Sequence, residues 1–404
     1  MRTIEPRGSS CFRRAAAILA VLAVATLPTL LPSAHGEVVA ESKRFRLIEQ
    51  VPLGGVAVSG QVVDDTYFIS SWQTGLYSYD VSNPAGPQPL DHMTADEIGI
   101  QSNENEDMAT NGEILLLSRF NRVDALNELL VIDVRNPKEM KVIARLAGAG
   151  GHTITCLFDC KWAYGSSSGS SSAGTIIDLR NPRRPRLLDR RWSEAVGGVA
   201  SHDVTEVRPG LVVTSSNPMF VLDVSDPRRP RPLMRTDFDT PHTGHNNIWP
   251  RAGNDRFLFS ASEGVNNGRC EMYGDDGKTL QVWDTRGWRR GGFEPVGAYT
   301  LTNGEGHPPV DALGVQGCSA HWAQAHPDFR NGGLVAMAAY SHGVRLLDIG
   351  RDGKPREVGY YLKDVHGAID VEWINDRILY VVEDGAGVGG FDVIKYTGPL
   401  PQAG

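Results

Sequence analysis

Residues 76–84 read LYSYDVSNP, and the same grammar returns as LLVIDVRNP at 129–137, TIIDLRNP at 175–182 and MFVLDVSDP at 219–227. It recurs more loosely as LQVWDTRGW at 280–288, VRLLDIGRDGKP at 344–355 and GGFDVIKY at 389–396. Each run is apolar and each carries an aspartate: Asp80, Asp133, Asp178, Asp223, Asp284, Asp348 and Asp392. The aspartates lie roughly 44 to 64 residues apart, which is the period of a four-stranded blade and not of a helical repeat. A strand that ends at Asp, an Asn-Pro or Asp-Pro turn and a second apolar stretch such as PRLLDR or REVGYY make up the second half of each unit. Proline presets φ and Asx side chains bond their own backbone, so the turn is chemically specified.

Two further strands precede each of these pairs, as HDVTEV and LVVTSS do in the fourth unit. The expectation is an all-β, seven-bladed β-propeller with four antiparallel strands per blade. The last unit ends at Tyr396 without a fourth strand, whereas residues 45–53 form a strand with no unit of its own. That N-terminal strand is expected to complete the seventh blade and close the ring, giving one domain over 37–404.

Residues 1–36 read as a secretory leader. Arg2, Arg7, Arg13 and Arg14 precede the apolar stretch 15–31, and Ala34-His35-Gly36 offers cleavage before Glu37. Arg13-Arg14 hints at the twin-arginine route, and an uncleaved anchor is the alternative. Cys11 lies before the apolar stretch, which excludes a lipoprotein site. An exported chain retains four cysteines, Cys156, Cys160, Cys270 and Cys318, and their even number in an oxidising compartment points to disulfides. Topology favours Cys156 with Cys160 across one hairpin and Cys270 with Cys318 between two long loops, with zinc bound by thiolates as the rival.

The formal net charge of −8 argues against nucleic acid as a partner. Locally the balance reverses, with Arg183, Arg184 and Arg186 after one Asp turn and Arg228, Arg229 and Arg231 after the next. Equivalent turns of adjacent blades put these arginines on one face. They are either solvated turn residues or a dock for an anionic envelope polymer or lipid headgroup.

A second pattern runs beneath the first. Where innermost strands should begin, the chain reads GGHTIT (His152), SHDVTEV (His202), GHNNIW (His245) and SAHWAQ (His321). The last unit reads VHGAIDVEW (His366), and the second reads Asn105-Glu106-Asp107-Met108. Innermost strands surround the axis and start at one face, so these imidazoles should converge at the channel mouth. Four imidazoles suit iron, copper or zinc, with Glu106, Asp203, His366 and Asp370 placed to orient the rings from behind. Each histidine taken alone is as well explained by a local hydrogen bond. The long insertions 264–278 and 302–319 belong to this same face, and the Ser/Gly run 166–174 lies above His152. No P-loop or HExxH is present, and the serines of 166–172 supply hydroxyls without an organised base.

The LYSYDVSNP, LLVIDVRNP, VLDVSDP and VRLLDIG cores resemble the LVIVD repeat, and the chain is similar to secreted bacterial proteins of that repeat family. YSHGVRLLDI and ILYVVEDGAGVGGFDV look especially like their C-terminal blades. The resemblance implies a propeller over the whole mature chain and leaves activity open. Two functions are therefore carried. One is a secreted binding or scaffold protein that presents its loop-rich face to an envelope or extracellular ligand. The other is an iron- or copper-dependent oxidoreductase or oxygenase using the axial histidines, similar in architecture to carotenoid-cleaving oxygenases and thiol oxidases of the selenium-binding-protein type.

Overall fold

A computed structural model describes residues 38–99, 106–121, 126–166, 174–238, 244–263, 279–301, 319–363, 367–384 and 389–400. Seven antiparallel sheets follow one another along the chain as blades 1 to 7, spanning 57–94, 108–147, 153–191, 204–236, 244–299, 323–363 and 368–396. Each blade runs from an innermost strand a to an outermost strand d. Blade 7 takes its strand d from the N-terminus, where Phe45–Pro52 pairs antiparallel with Gly390–Tyr396. Blade 6 gains a fifth strand, Val38–Glu41, along the outer edge of Pro355–Lys363.

The repeated aspartate has a single job in five blades. The carboxylates of Asp80, Asp133, Asp178, Asp223 and Asp284 each accept the backbone N–H two residues ahead, at 2.9–3.3 Å. An Asx turn thus starts each c–d connection. Asp284 keeps this bond although its turn lacks the Asn-Pro pair, so the divergent fifth unit holds the common register.

The seventh match is a correction. Asp392 lies near the start of its strand c, Gly390–Tyr396, whereas its counterparts end theirs. Its carboxylate meets buried Lys363 Nζ at 3.1 Å and accepts the Tyr361 hydroxyl at 2.7 Å. GGFDVIKY therefore matches the pattern out of register.

Alternation along each strand sends apolar side chains against the neighbouring blades. Seven buried apolar clusters result, one for each blade-to-blade interface. Tyr67, Tyr380 and Phe391 join blades 7 and 1, for instance, and Leu157, Trp162, Val212 and Leu222 join blades 3 and 4. A ring of polar bonds runs inside these clusters, close to the axis. Ser59 Oγ donates to Asp107 (3.3 Å), Glu106 N to the His152 carbonyl (2.9 Å), and Thr153 Oγ1 to the His202 carbonyl (2.9 Å). Thr205 Oγ1 donates to the Asn247 carbonyl (3.1 Å) and Asn246 Nδ2 to the Ala323 carbonyl (3.3 Å). His321 Nδ1 donates to the Ile369 carbonyl (2.5 Å), and Gly60 N to Asp370 Oδ2 (3.0 Å). At least one such bond crosses each of the seven interfaces, so the innermost strands hold a fixed spacing around the channel.

Candidate metal centre

Strand a begins, strand b ends and strand c begins on one face of the ring; the a–b and c–d turns occupy the other. On the first face the starts of four innermost strands deliver His152, His202, His245 and His321, and the start of blade 2 delivers Glu106. Glu106 is the counterpart of a histidine, because Glu106-Asp107-Met108 aligns with His202-Asp203-Val204.

The Nε2 atoms of all four histidines face the Glu106 carboxylate. His202 lies 3.0 Å from Oε2 and His245 3.0 Å from Oε1, with His152 also on Oε2 and His321 also on Oε1. The rings form a row that curves round the carboxylate, with centroids 5.1 Å apart for His152 and His202, 3.8 Å for His202 and His245, and 4.0 Å for His245 and His321. Glu106 therefore sits at the centre of the imidazoles, not behind them as the sequence suggested.

The His152 side chain is the most exposed of the four imidazoles at 13%, and that of His245 the most buried at 1%. Burial raises the Glu106 carboxyl, but the four imidazoles together outweigh it and hold the group well below the usual carboxylate range. Burial together with His202 and His321 pushes His245 down to about 4. Burial also opposes charge on His321, yet Glu106 and Glu263 overcome it and raise that imidazole to about 9.

Two members of the site were not anticipated. Glu263 brings Oε2 to 3.9 Å from His245 Nε2, and its Oε1 accepts the Tyr340 hydroxyl at 2.7 Å. The Tyr340 ring lies edge-on to His321, with centroids 4.9 Å apart. Both residues follow the ends of b strands, Phe257–Ser262 and Gly333–Ala338, which reach the same face as the starts of a strands. Attention to b-strand ends would have found them.

Asp203 and Asp370 stand elsewhere than expected. Asp203 accepts the Thr155 hydroxyl at 3.2 Å and Asp370 accepts Gly60 N–H; neither accepts from an imidazole among the described residues. With Asp107 they form a carboxylate layer beneath the histidines. Burial pushes Asp203 and Asp370 each up to about 6, and burial with these two neighbours pushes Asp107 further. His366, Cys270 and Cys318 lie outside the described residues, as do the leader and most of the long insertions. Cys156 and Cys160 are disulfide-bonded across the first hairpin of blade 3.

Glu372 extends the acidic layer two residues along the strand from Asp370, and its buried Oε2 has no hydrogen-bond partner among the described residues. Burial and Asp370 push it up to about 8. An unfolded glutamate titrates near 4.3, so the folded state holds the extra proton between these values and loses stability as pH rises through that window, by up to about 1.4 kcal/mol per pH unit. Glu372→Gln should flatten the fall in melting temperature between about pH 5 and pH 8. An unchanged slope would show that this group does not drive it.

The donor set fits a transition metal. His321 Nδ1–H is committed to the Ile369 carbonyl, an acceptor only, so a neutral ring presents a bare Nε2 lone pair to a carboxylate oxygen. Two acceptors face each other there unless a proton or a cation stands between them. Glu106, His202 and His245 form one compact group of ligand atoms within 4.8 Å of one another, and His245, Glu263 and His321 form a second. Nitrogen-rich sets with a carboxylate suit iron, copper and zinc.

No family model matches the chain, and no curated protein matches it. Solved structures match by shape. Raptor from Chaetomium thermophilum is similar at 12% identity and TM-score 0.57, over 89% of this chain but only 30% of that one. The WD40 repeats of RRP9 match at 11% identity and TM-score 0.51, covering 89% of this chain and 100% of that one. YCF48 bound to D1 peptide matches at 12% identity and TM-score 0.52, covering 89% and 99%. At such identities the likeness shows the propeller fold alone.

Proposed function

We propose that this chain is an exported propeller that binds a ligand on its loop-rich face through one transition-metal ion held at the axial mouth. His152, His202, His245 and His321 would supply nitrogen ligands, with Glu106 as the carboxylate among them and iron or copper as the favoured ions. The observation that carries this reading is the convergence of four imidazole Nε2 atoms on the single Glu106 carboxylate. The leader and the Cys156–Cys160 disulfide support export. The likeness to YCF48, whose solved structure holds a peptide, supports a binding role for the same disc.

A second reading, an oxidoreductase or oxygenase, is favoured by the Tyr340–Glu263 pair. A bound iron or copper would supply Lewis acidity and electron transfer. The chain's own part is to hold the Tyr340 proton at Glu263, 2.7 Å away and beside His321. Copper(II) added to metal-free protein should give an electron paramagnetic resonance spectrum with splitting from several equatorial nitrogens. Tyr340→Phe should leave that spectrum unchanged while slowing reduction of the copper by ascorbate. A spectrum without nitrogen splitting contradicts the centre; an unchanged reduction rate removes Tyr340 from the second reading.

A further inference from the structure

The face opposite the imidazoles has an opening of its own. Between blades 5 and 6, the a–b and c–d turns enclose a cleft of about 750 Å³, within the size range of small-molecule sites. Four guanidinium groups, Arg256, Arg286, Arg330 and Arg351, and two indoles, Trp249 and Trp288, line it.

The charges in this cleft do not cancel. Asp284 is shared, accepting Arg256 Nε at 2.8 Å and Arg286 Nη2 at 2.8 Å. Asp255 spends both oxygens on backbone, taking the N–H of Phe257 at 3.0 Å and of Asn331 at 2.9 Å. Arg330 Nη1 donates to the carbonyls of Pro327 (3.0 Å) and Phe329 (2.7 Å), which fix its position and bring no formal charge. Arg351 is exposed, and its carbonyl takes Arg256 Nη1 at 2.7 Å while its guanidinium has no ion pair among the described residues. Four cations outnumber the three carboxylates Asp284, Asp255 and Glu294, the last acting on Arg286, so the cleft keeps a positive surplus.

In the arginine patch on the turns of blades 3 and 4, Arg228 closes on Asp226 at 2.8 Å and Arg231 on Asp223, and Arg183 lies 3.9 Å from Asp133, whereas Arg184, Arg186 and Arg229 make no ion pair among the described residues.

We propose that the cleft between blades 5 and 6 binds a phosphate ester, with Arg330 and Arg351 taking the phosphate and Trp288 packing against the body that carries it. A phosphate near neutral pH bears between about 1.5 and 2 negative charges, opposite in sign to this surplus. Planar guanidinium forks pair with two phosphate oxygens at once. Trp288 is partly exposed and steadied edge-on by buried Trp249, with ring centroids 5.8 Å apart. The phosphate could belong to a soluble sugar or to a lipid headgroup, and the experiment separates these sources.

Glucose 6-phosphate is titrated into the mature protein by calorimetry at about 50 mM salt, and the protein is sedimented with vesicles of phosphatidylcholine containing phosphatidylglycerol. Saturable binding of either probe is expected, with affinity falling at least about tenfold in Arg330→Gln/Arg351→Gln and in Arg351→Gln by a smaller factor. Arg184→Gln/Arg229→Gln should bind as the parent does. A response to the sugar phosphate assigns a soluble ligand, and a response to vesicles alone assigns a headgroup. Failure of both probes at millimolar concentration, or an equal loss in the Arg184/Arg229 control, overturns the proposal. His202→Ala should leave this binding unchanged, so failure of the metal reading and failure of this one are distinguishable.

Discussion

Paired replacement His202→Ala/His321→Ala is expected to reduce bound metal from about one equivalent per chain to a trace, because it removes two of four nitrogen ligands, one from each oxygen of Glu106. His321→Ala alone should weaken binding by at least about a hundredfold. It removes both a ligand and the ring whose Nδ1–H is fixed on the Ile369 carbonyl, and loss of orienting contacts alone costs about 10- to 100-fold. The structural cost should be modest by comparison, since each truncation also relieves crowding around one carboxylate. Metal content by elemental analysis and unfolding by circular dichroism, measured on the same samples, separate the two effects. Full metal content in the double variant would exclude these histidines as ligands.

Asp392→Ala should be the most destabilising single substitution at the seam that closes the ring. Lys363 on strand d of blade 6 and Asp392 on strand c of blade 7 are each about 2% exposed and lie 3.1 Å apart. The Tyr361 hydroxyl donates to the same carboxylate. Glu383, pushed well above the usual carboxylate range by burial, is not a ready replacement as a counter-ion. Removing Asp392 strands a buried ammonium, at a cost of about 3–5 kcal/mol. The charge-free pair Lys363→Met/Asp392→Leu should recover most of that loss, because desolvation of both ions is no longer required. An exposed pair such as Arg180–Asp178, with the arginine 64% exposed, should cost only about 0–1 kcal/mol on removing the arginine. Urea denaturation of the four proteins tests this ordering. Equal stability of Asp392→Ala and Arg180→Ala would contradict it.

The propeller was legible because its repeat couples a period to a turn chemistry, and Asp-to-amide bonds need only local sequence. The N-terminal closing strand was legible for the same reason, as an unpaired strand at one end of the chain met an incomplete blade at the other. Register failed where one letter serves two purposes. Asp392 sits in an apolar run like its counterparts, but only the cross-blade approach of Lys363 reveals that it is a buried ion and not a turn cap. The histidines were visible because they recur at the starts of innermost strands. Glu106 was visible but was assigned to the periphery, since a carboxylate standing at a histidine's repeat position is recognised as central only once four Nε2 atoms are seen to face it. Glu263 and Tyr340 escaped because they belong to the strand before or after, not to the repeat position. The arginine-lined cleft escaped entirely. Its surplus charge depends on which arginines share a carboxylate, and linear sequence does not show that sharing.

The axial metal centre is the central claim, and elemental analysis of the exported, mature protein, purified without a histidine tag or chelator, tests it most directly. About one equivalent of iron or copper, lost in His202→Ala/His321→Ala, is the predicted result. Absence of any transition metal, persisting after incubation with iron, copper and zinc, would contradict it and leave Glu106 as a carboxylate held by imidazole hydrogen bonds alone.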